Sequence, residues 1–232
     1  REKFLKLLDG SVYGSSPEEG YVKNSVFYHP ILAIKFNIDS DWLFQNYPDK
    51  LVLTKNNSNI TLRADDLLAD DLENGLTAKK YLENGINKSS FLSTNKLIKS
   101  EDFSYNNLIG HTHLYSSENI INKSYKRFTV IFDTDAKDTK PKAWIAVTNL
   151  ENLDDDVANI SMLKSFAKMP IDEIKKSNGL RIKVIRFRDG MSYASLAKSS
   201  PLGKYAIDKL RLLNGDYPDK DPVIGELIKI VE

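Results

Sequence analysis

Three consecutive runs, NLIGHTHLY (107–115), KRFTVIFDT (126–134) and PKAWIAVTNL (141–150), decide the fold class. Each alternates apolar and polar residues with the two-residue period of a half-buried strand, and polar turn residues bound each run. Downstream the period changes. VANISMLKSFAKM (157–169) carries helical spacing, which predicts a helix with Ile160, Leu163, Phe166 and Ala167 on one face. Upstream, LVLT (51–54) and ITLRA (60–64) predict a hairpin closed by KNNSN. Residues 65–86, DDLLADDLENGLTAKKYLENGI, predict a helical segment with Asp in its first turn and Gly near both ends. FYHPILAIKFNI (27–38) reads as one strand with Ile34, Phe36 and Ile38 inward and Pro30 at its entrance. Strands flanked by helices make the expected class α+β.

The last fifty residues form a second pattern. RIKVIRF (181–187) alternates as a strand, SYASLAKS (192–199) and KYAIDKLRLL (204–213) have helical spacing, and LIKIVE (227–232) closes as a strand. That predicts a small β-α-α-β module. PIDEIKKSNG (170–179) is the expected joint before it, and the turn-rich SVYGSSPEEGYVKNS (11–25) is an expected connector at the other end. The predicted division is therefore 1–25 connector, 26–170 sheet domain and 171–232 module. REKFLKLLDG opens in helical rhythm at Phe4, Leu7 and Leu8, so further chain is expected upstream.

With 41% hydrophobic and 28% charged residues the 232-residue chain has the composition of a globular protein. A formal net charge of +1, with Lys and Arg scattered, presents no bulk field to nucleic acid or to an acidic membrane surface. The absence of cysteine removes disulfides, thiolate nucleophiles and Cys-ligated zinc. No apolar run reaches the roughly 18 residues of a membrane helix. The motifs H-E-x-x-H, G-x-S-x-G and the phosphate-binding G-x-x-x-x-G-K-[ST] are all missing.

What remains is sparse. His111 and His113 share one face of a strand and could offer two imidazoles to a metal; the plainer expectation is two half-exposed histidines. DTDAKD (133–138) has closely spaced carboxylates and reads as a solvated hairpin turn rather than a calcium loop. Asp66 and Asp70 would lie one helical turn apart on a charged outer face. Five Asn-x-Ser/Thr triplets begin at Asn56, Asn59, Asn87, Asn122 and Asn159.

Two longer patterns resemble known families. RIKVIRFRDGMSYASLAKSS (181–200), DKLRLLNGDYP (208–218) and IGELIKIV (224–231) resemble a LysM-type module. FLKLLDGSVYGSSPEEGYVKNSVFYHPILAIKFNIDSDWLFQN (4–46) resembles the region after the catalytic domain of bacterial CAAX-prenyl-protease-like (HtpX-like) zinc metallopeptidases. That family also ends in a segment like SPLGKYAIDKLRLLNGDYP (200–218). The block from FYHPILAIKFNI to MLKSFAKM (27–169) is similar to PsbP-like α+β domains, which implies a twisted antiparallel sheet flanked by helices.

The resemblance implies a non-catalytic accessory or targeting region of an exported metalloprotease, periplasmic or envelope-associated, with zinc and H-E-x-x-H in an upstream domain of the same polypeptide. It implies association with peptidoglycan or an envelope protein. Glycan contacts would then fall on Asp189, Gly190, Met191 and Ser192 and on Asn214, Gly215, Asp216 and Tyr217, with Tyr193 and Tyr205 as further exposed aromatics. An autonomous peptidoglycan-binding module is the alternative reading. A metal-dependent hydrolase built on His111 and His113 is the third.

Overall fold

The computed structural model describes residues 2–14, 19–39, 41–87, 90–117, 124–134, 140–177 and 179–232. The chain opens with α1 (Glu2–Leu7), β1 (Tyr21–Lys23), β2 (Val26–His29) and β3 (Ile34–Asn37). Next come β4 (Leu43–Asn46), β5 (Leu51–Lys55), β6 (Ser58–Asp66), α2 (Ala69–Glu73) and α3 (Ala78–Asn87). The long strands β7 (Asn95–Tyr105), β8 (Leu108–Ser117), β9 (Tyr125–Asp133) and β10 (Lys142–Leu150) lead to α4 (Asp154–Lys164) and β11 (Ala167–Lys168). The tail holds α5 (Ile171–Lys176), β12 (Ile182–Arg186), α6 (Tyr193–Ser199), α7 (Ala206–Asn214) and β13 (Leu227–Val231). The protein is thus α+β with antiparallel sheets, and among the described residues no helix is long and apolar enough to cross a membrane.

Two compact units divide the chain: Asp41–Lys168, and Arg1–Ser40 together with Met169–Glu232. The first holds a seven-stranded sheet in the order β4-β5-β6-β10-β9-β8-β7. The predicted hairpin is β5–β6, turning through Asn56-Asn57, where Asn56 takes a φ of 51° that Asn tolerates well. The three defining runs are β8, β9 and β10, paired in sequence, and β10 then pairs with β6.

Alternation gives this sheet two different faces. On one, Tyr115, Val130, Phe132 and Ala143 pack under Leu82 and Ile86 of α3. On the other, Arg127, Thr129, Ile131, Trp144, Ala146 and Thr148 turn toward α4 and the Phe166 that follows it. β7 is an edge strand that the periodicity does not predict. Its Phe103 lies opposite Gly110, where a Cβ would sit 2.3 Å from the Phe103 ring and 2.8 Å from the Val130 carbonyl oxygen. The glycine lets the edge aromatic cover the sheet closely.

Several predicted elements take another form. FYHPILAIKFNI is two antiparallel strands, β2 and β3, because Pro30 sits in the turn between them; Ile34, Phe36 and Ile38 are buried as expected. The helical stretch 65–86 begins in β6 and breaks at Asn74-Gly75 into α2 and α3. Asp66 is accordingly a strand residue paired with Lys142, not one turn from Asp70 on a helix. In α1 the buried residue is Leu5, whereas Phe4 is 63% exposed.

α4 ends before Phe166, and its buried side chains are Asp156, Asn159, Met162 and Leu163, a half-polar face in place of the expected apolar one. Asn159, being 1% exposed, is closed to glycosylation in the folded protein. Asn122 and most of the DTDAKD turn lie outside the described residues.

Arg127 explains that face. It is 1% exposed, and its Nε and Nη2 donate to the two carboxylate oxygens of Asp156 at 2.7 and 2.6 Å. Its Nη1 donates to Thr112 Oγ1 at 2.9 Å. Fork-to-carboxylate geometry of this kind is charge-assisted and strongly directional.

The second unit is held by backbone pairing between its two chain segments. Gly10 N donates to Ile182 O, Ile182 N to Ser11 O and Tyr13 N to Leu180 O, each at 2.8 Å. β12 and β13 pair antiparallel, and α6 and α7 pack with them. Tyr193, Leu202, Leu210 and Val231 form its core together with Tyr21, and Tyr13 and Tyr28 pack against it. Tyr13 and Tyr21, within the expected 1–25 connector, therefore pack in the tail's core. Residues 26–40, expected in the sheet domain, belong to this unit as well.

Removing one partner of the Arg127–Asp156 pair leaves a buried charge uncompensated, which costs about 3–5 kcal/mol. Asp156→Ala is expected to lose that much in urea denaturation. The double variant Arg127→Met/Asp156→Leu is expected to recover most of it. Equal losses in both would show that the carboxylate, not the charge balance, holds α4.

Candidate functional site

The tail places the two predicted contact segments side by side. Arg188–Ser192 turns from β12 into α6, with Gly190 at a φ of 78°. Ser192 and Ser195 form a reciprocal cap: Ser195 N donates to Ser192 Oγ at 3.1 Å and Ser192 N to Ser195 Oγ at 2.9 Å. At the far end of α7, Gly215 takes the left-handed conformation that commonly ends a helix, at a φ of 82°. Tyr193 Oη then donates to Asp216 Oδ2 at 2.6 Å, tying the turn before α6 to the loop after α7. Burial first, and this bond second, raise the Tyr193 hydroxyl's pKa above its ordinary value.

Not all the predicted residues are available to a ligand. Asn214 is fully engaged: its Nδ2 donates to Leu210 O and Lys229 O, and its Oδ1 accepts from Lys229 N at 2.8 Å. It fastens α7 to β13. Ser192 belongs to the cap and Asp216 to Tyr193. Tyr193, expected as an exposed contact, is 0% exposed because its ring fills the core between the two helices. Asp189 and Gly190 remain open, Met191 is half-buried, and Tyr217 and Tyr205 are exposed at 54% and 56%.

His111 and His113 share a face, their rings 4.8 Å apart, but both are buried rather than half-exposed. They lie opposite Val130 and Phe128, on the face of the sheet packed under α3. His111 Nδ1 meets Asp102 Oδ1 at 2.6 Å and its Nε2 meets Ser100 Oγ at 3.1 Å, so both ring nitrogens are engaged by cross-strand neighbours. The Ser-His-Asp line is a polar ladder on an edge strand, with the Asp102 side chain 80% exposed to water. His113 Nδ1 meets Tyr115 Oη at 3.1 Å, while its buried Nε2 has no partner among the described residues. Among the described residues no group of three or more His, Asp or Glu side chains is placed to hold a metal ion.

The class so defined is an α+β protein with a seven-stranded antiparallel sheet and a second unit closed by a β-α-α-β tail. No family model matches the sequence, and no curated protein does. Solved structures with a similar chain path are distant. LpqN, involved in cell envelope biogenesis of Mycobacterium tuberculosis, is 10% identical over 59% of this chain and 83% of its own, with a TM-score of 0.42. Cyanobacterial PsbP (CyanoP) from Synechocystis sp. PCC 6803 is 13% identical over 67% of this chain and 98% of its own, with a TM-score of 0.43. A point mutant of the protein Mog1 is 9% identical over 61% of this chain and 94% of its own, with a TM-score of 0.39.

Burial, followed by repulsion from His111, lowers the pKa of His113 below its ordinary 6.5; Glu83 opposes and Lys79 adds to the effect. The unfolded chain therefore binds the proton more readily. His113's contribution to stability is complete above about pH 6.5, is lost as pH falls below it, and levels off below the folded pKa. Because burial lowers the pKa of His29 too, the test is a comparison. Thermal unfolding of His113→Gln is expected to be less pH-sensitive between neutral and acidic pH than that of the parent, and identical slopes would contradict it.

Proposed function

We propose that this chain is the non-catalytic region of an exported zinc metallopeptidase, acting by the surface it presents to peptidoglycan or another envelope component. Proteolysis belongs to an upstream H-E-x-x-H domain of the same polypeptide, which would hold the zinc. On this reading the sheet unit is a PsbP-like domain, the tail is LysM-like, and the compartment is the periplasm or envelope.

The observation that carries the reading is the tail's geometry. A β-α-α-β order with antiparallel outer strands brings the turn before α6 against the loop after α7, joined by Tyr193 and Asp216. Between them they present an acid, a backbone turn and the flat face of Tyr217, a chemistry suited to an N-acetylated sugar. The reading of the tail as an autonomous module is disfavoured because Tyr21 belongs to its core, with Tyr13 and Tyr28 packed beside it. The hydrolase reading is disfavoured because His111 has no free nitrogen to give a metal.

Titrating the whole chain with N-acetylated peptidoglycan fragments is expected to shift the amide signals of Asp189, Gly190, Met191 and Tyr217. Tyr217→Ala is expected to weaken that binding by about tenfold, equivalent to ~1.4 kcal/mol. Unmoved signals at those four residues would remove glycan recognition from the tail.

A further inference from the structure

Strand pairing brings a serine, a histidine and an aspartate together at the edge of the sheet unit. Asp102 of β7 lies opposite His111 of β8, and Ser100 opposite His113, so these four side chains share one face. His111 stands between the other two polar groups. Its Nδ1 is 2.6 Å from Asp102 Oδ1 and its Nε2 is 3.1 Å from Ser100 Oγ. Both distances fall in the range that joins a nucleophile to its base, and that base to the group orienting it.

The protons follow by elimination. A carboxylate only accepts, so His111 Nδ1 carries the hydrogen of the shorter bond. In a neutral imidazole the other nitrogen is then a bare acceptor, and Ser100 must donate to it. The serine hydroxyl is thus polarised toward a base that is buried and held at both nitrogens. Ser104 is the contrast. It is exposed on the same face of the same strand, but Ile109 lies opposite it in place of a histidine.

Access and surroundings set the class of reactant. Ser100 is exposed. Near it in the strand, Leu97 and Ile98, the second of them at the β-bulge, present apolar side chains to water. Such a border suits a short hydrocarbon chain. The Asp102 carboxylate is exposed as well, so water screens its support for an imidazolium. That weak support calls for an ester with a good leaving group.

We propose that Ser100 is a nucleophile that takes the acyl group of activated esters of short hydrocarbon acids, with His111 as its base and Asp102 as a positioning residue. Oγ bonds to the carbonyl carbon while its proton passes to His111 Nε2. The carbon–oxygen bond to the leaving group breaks, the departing oxygen keeps the electron pair, and His111 releases its proton to that oxygen or to water. The product is an ester of Ser100. This covalent capture goes beyond the glycan-facing role of the tail and uses none of its residues.

Incubation of the whole chain with p-nitrophenyl butyrate, followed by peptide mass mapping, tests it. The expected result is a butyryl group on Ser100 and none on Ser104. A carboxamide at position 102 lets the imidazole take the wrong tautomer, so Asp102→Asn is expected to slow acylation of Ser100 by about tenfold or more. Asp102→Glu, which keeps the carboxylate, is expected to restore part of the rate, with both variants folded by circular dichroism. Three results would overturn the proposal: no butyryl group on Ser100, Ser104 acylated as fast as Ser100, or Asp102→Asn reacting at the parent's rate.

Discussion

The buried ion pair between Arg127 on β9 and Asp156 on α4 sets the arrangement of the sheet unit's polar face. A helix whose inward side reads Asp156, Asn159, Met162, Leu163 has too little apolar surface to choose its own rotation. The two-pronged bond to the guanidinium chooses it. Once Asp156 is fixed, Leu163 and Phe166 follow onto the sheet, and Asn106 closes the end by donating to the carbonyls of Lys164 and Phe166. At the start of α4, Ser58 reaches Asp155, and three aspartates sit where the helix dipole favours negative charge.

The same pair makes the adjoining polar layer possible. Without it, an arginine 1% exposed would be prohibitively costly, and the layer beside Thr112 and Thr129 would have to be apolar. Neighbouring polar atoms are also without partners among the described residues: Thr148 Oγ1 and both amide atoms of Asn159. A layer this polar between helix and sheet is unusual for a purely structural interface, where buried groups are almost always paired.

Strand periodicity carries a large part of the fold. β8, β9 and β10 each have one face under a helix, so their alternation is strong, and the tail is legible for the same reason: each of its elements contributes side chains to a single small core. β7 was illegible because an edge strand pairs on one side only and keeps polar residues such as Ser100, Asp102 and Ser104 on a wet face. α4 misled because its inward contacts are ionic, which hydrophobic spacing cannot register. The turn in FYHPILAIKFNI was hidden by apolar residues on both sides of Pro30. At the tail, spacing located the two segments, but the side-chain bonds that engage Asn214, Asp216 and Ser192 depend on packing partners such as Lys229 and Tyr193 that lie elsewhere in the chain.

The proposed function rests on one surface, the loops around Tyr217 in the tail. The most direct test is to read the coding sequence immediately upstream of Arg1. The account predicts a zinc-protease domain there with H-E-x-x-H on a helix; a start codon at that point, or an unrelated domain, would contradict it.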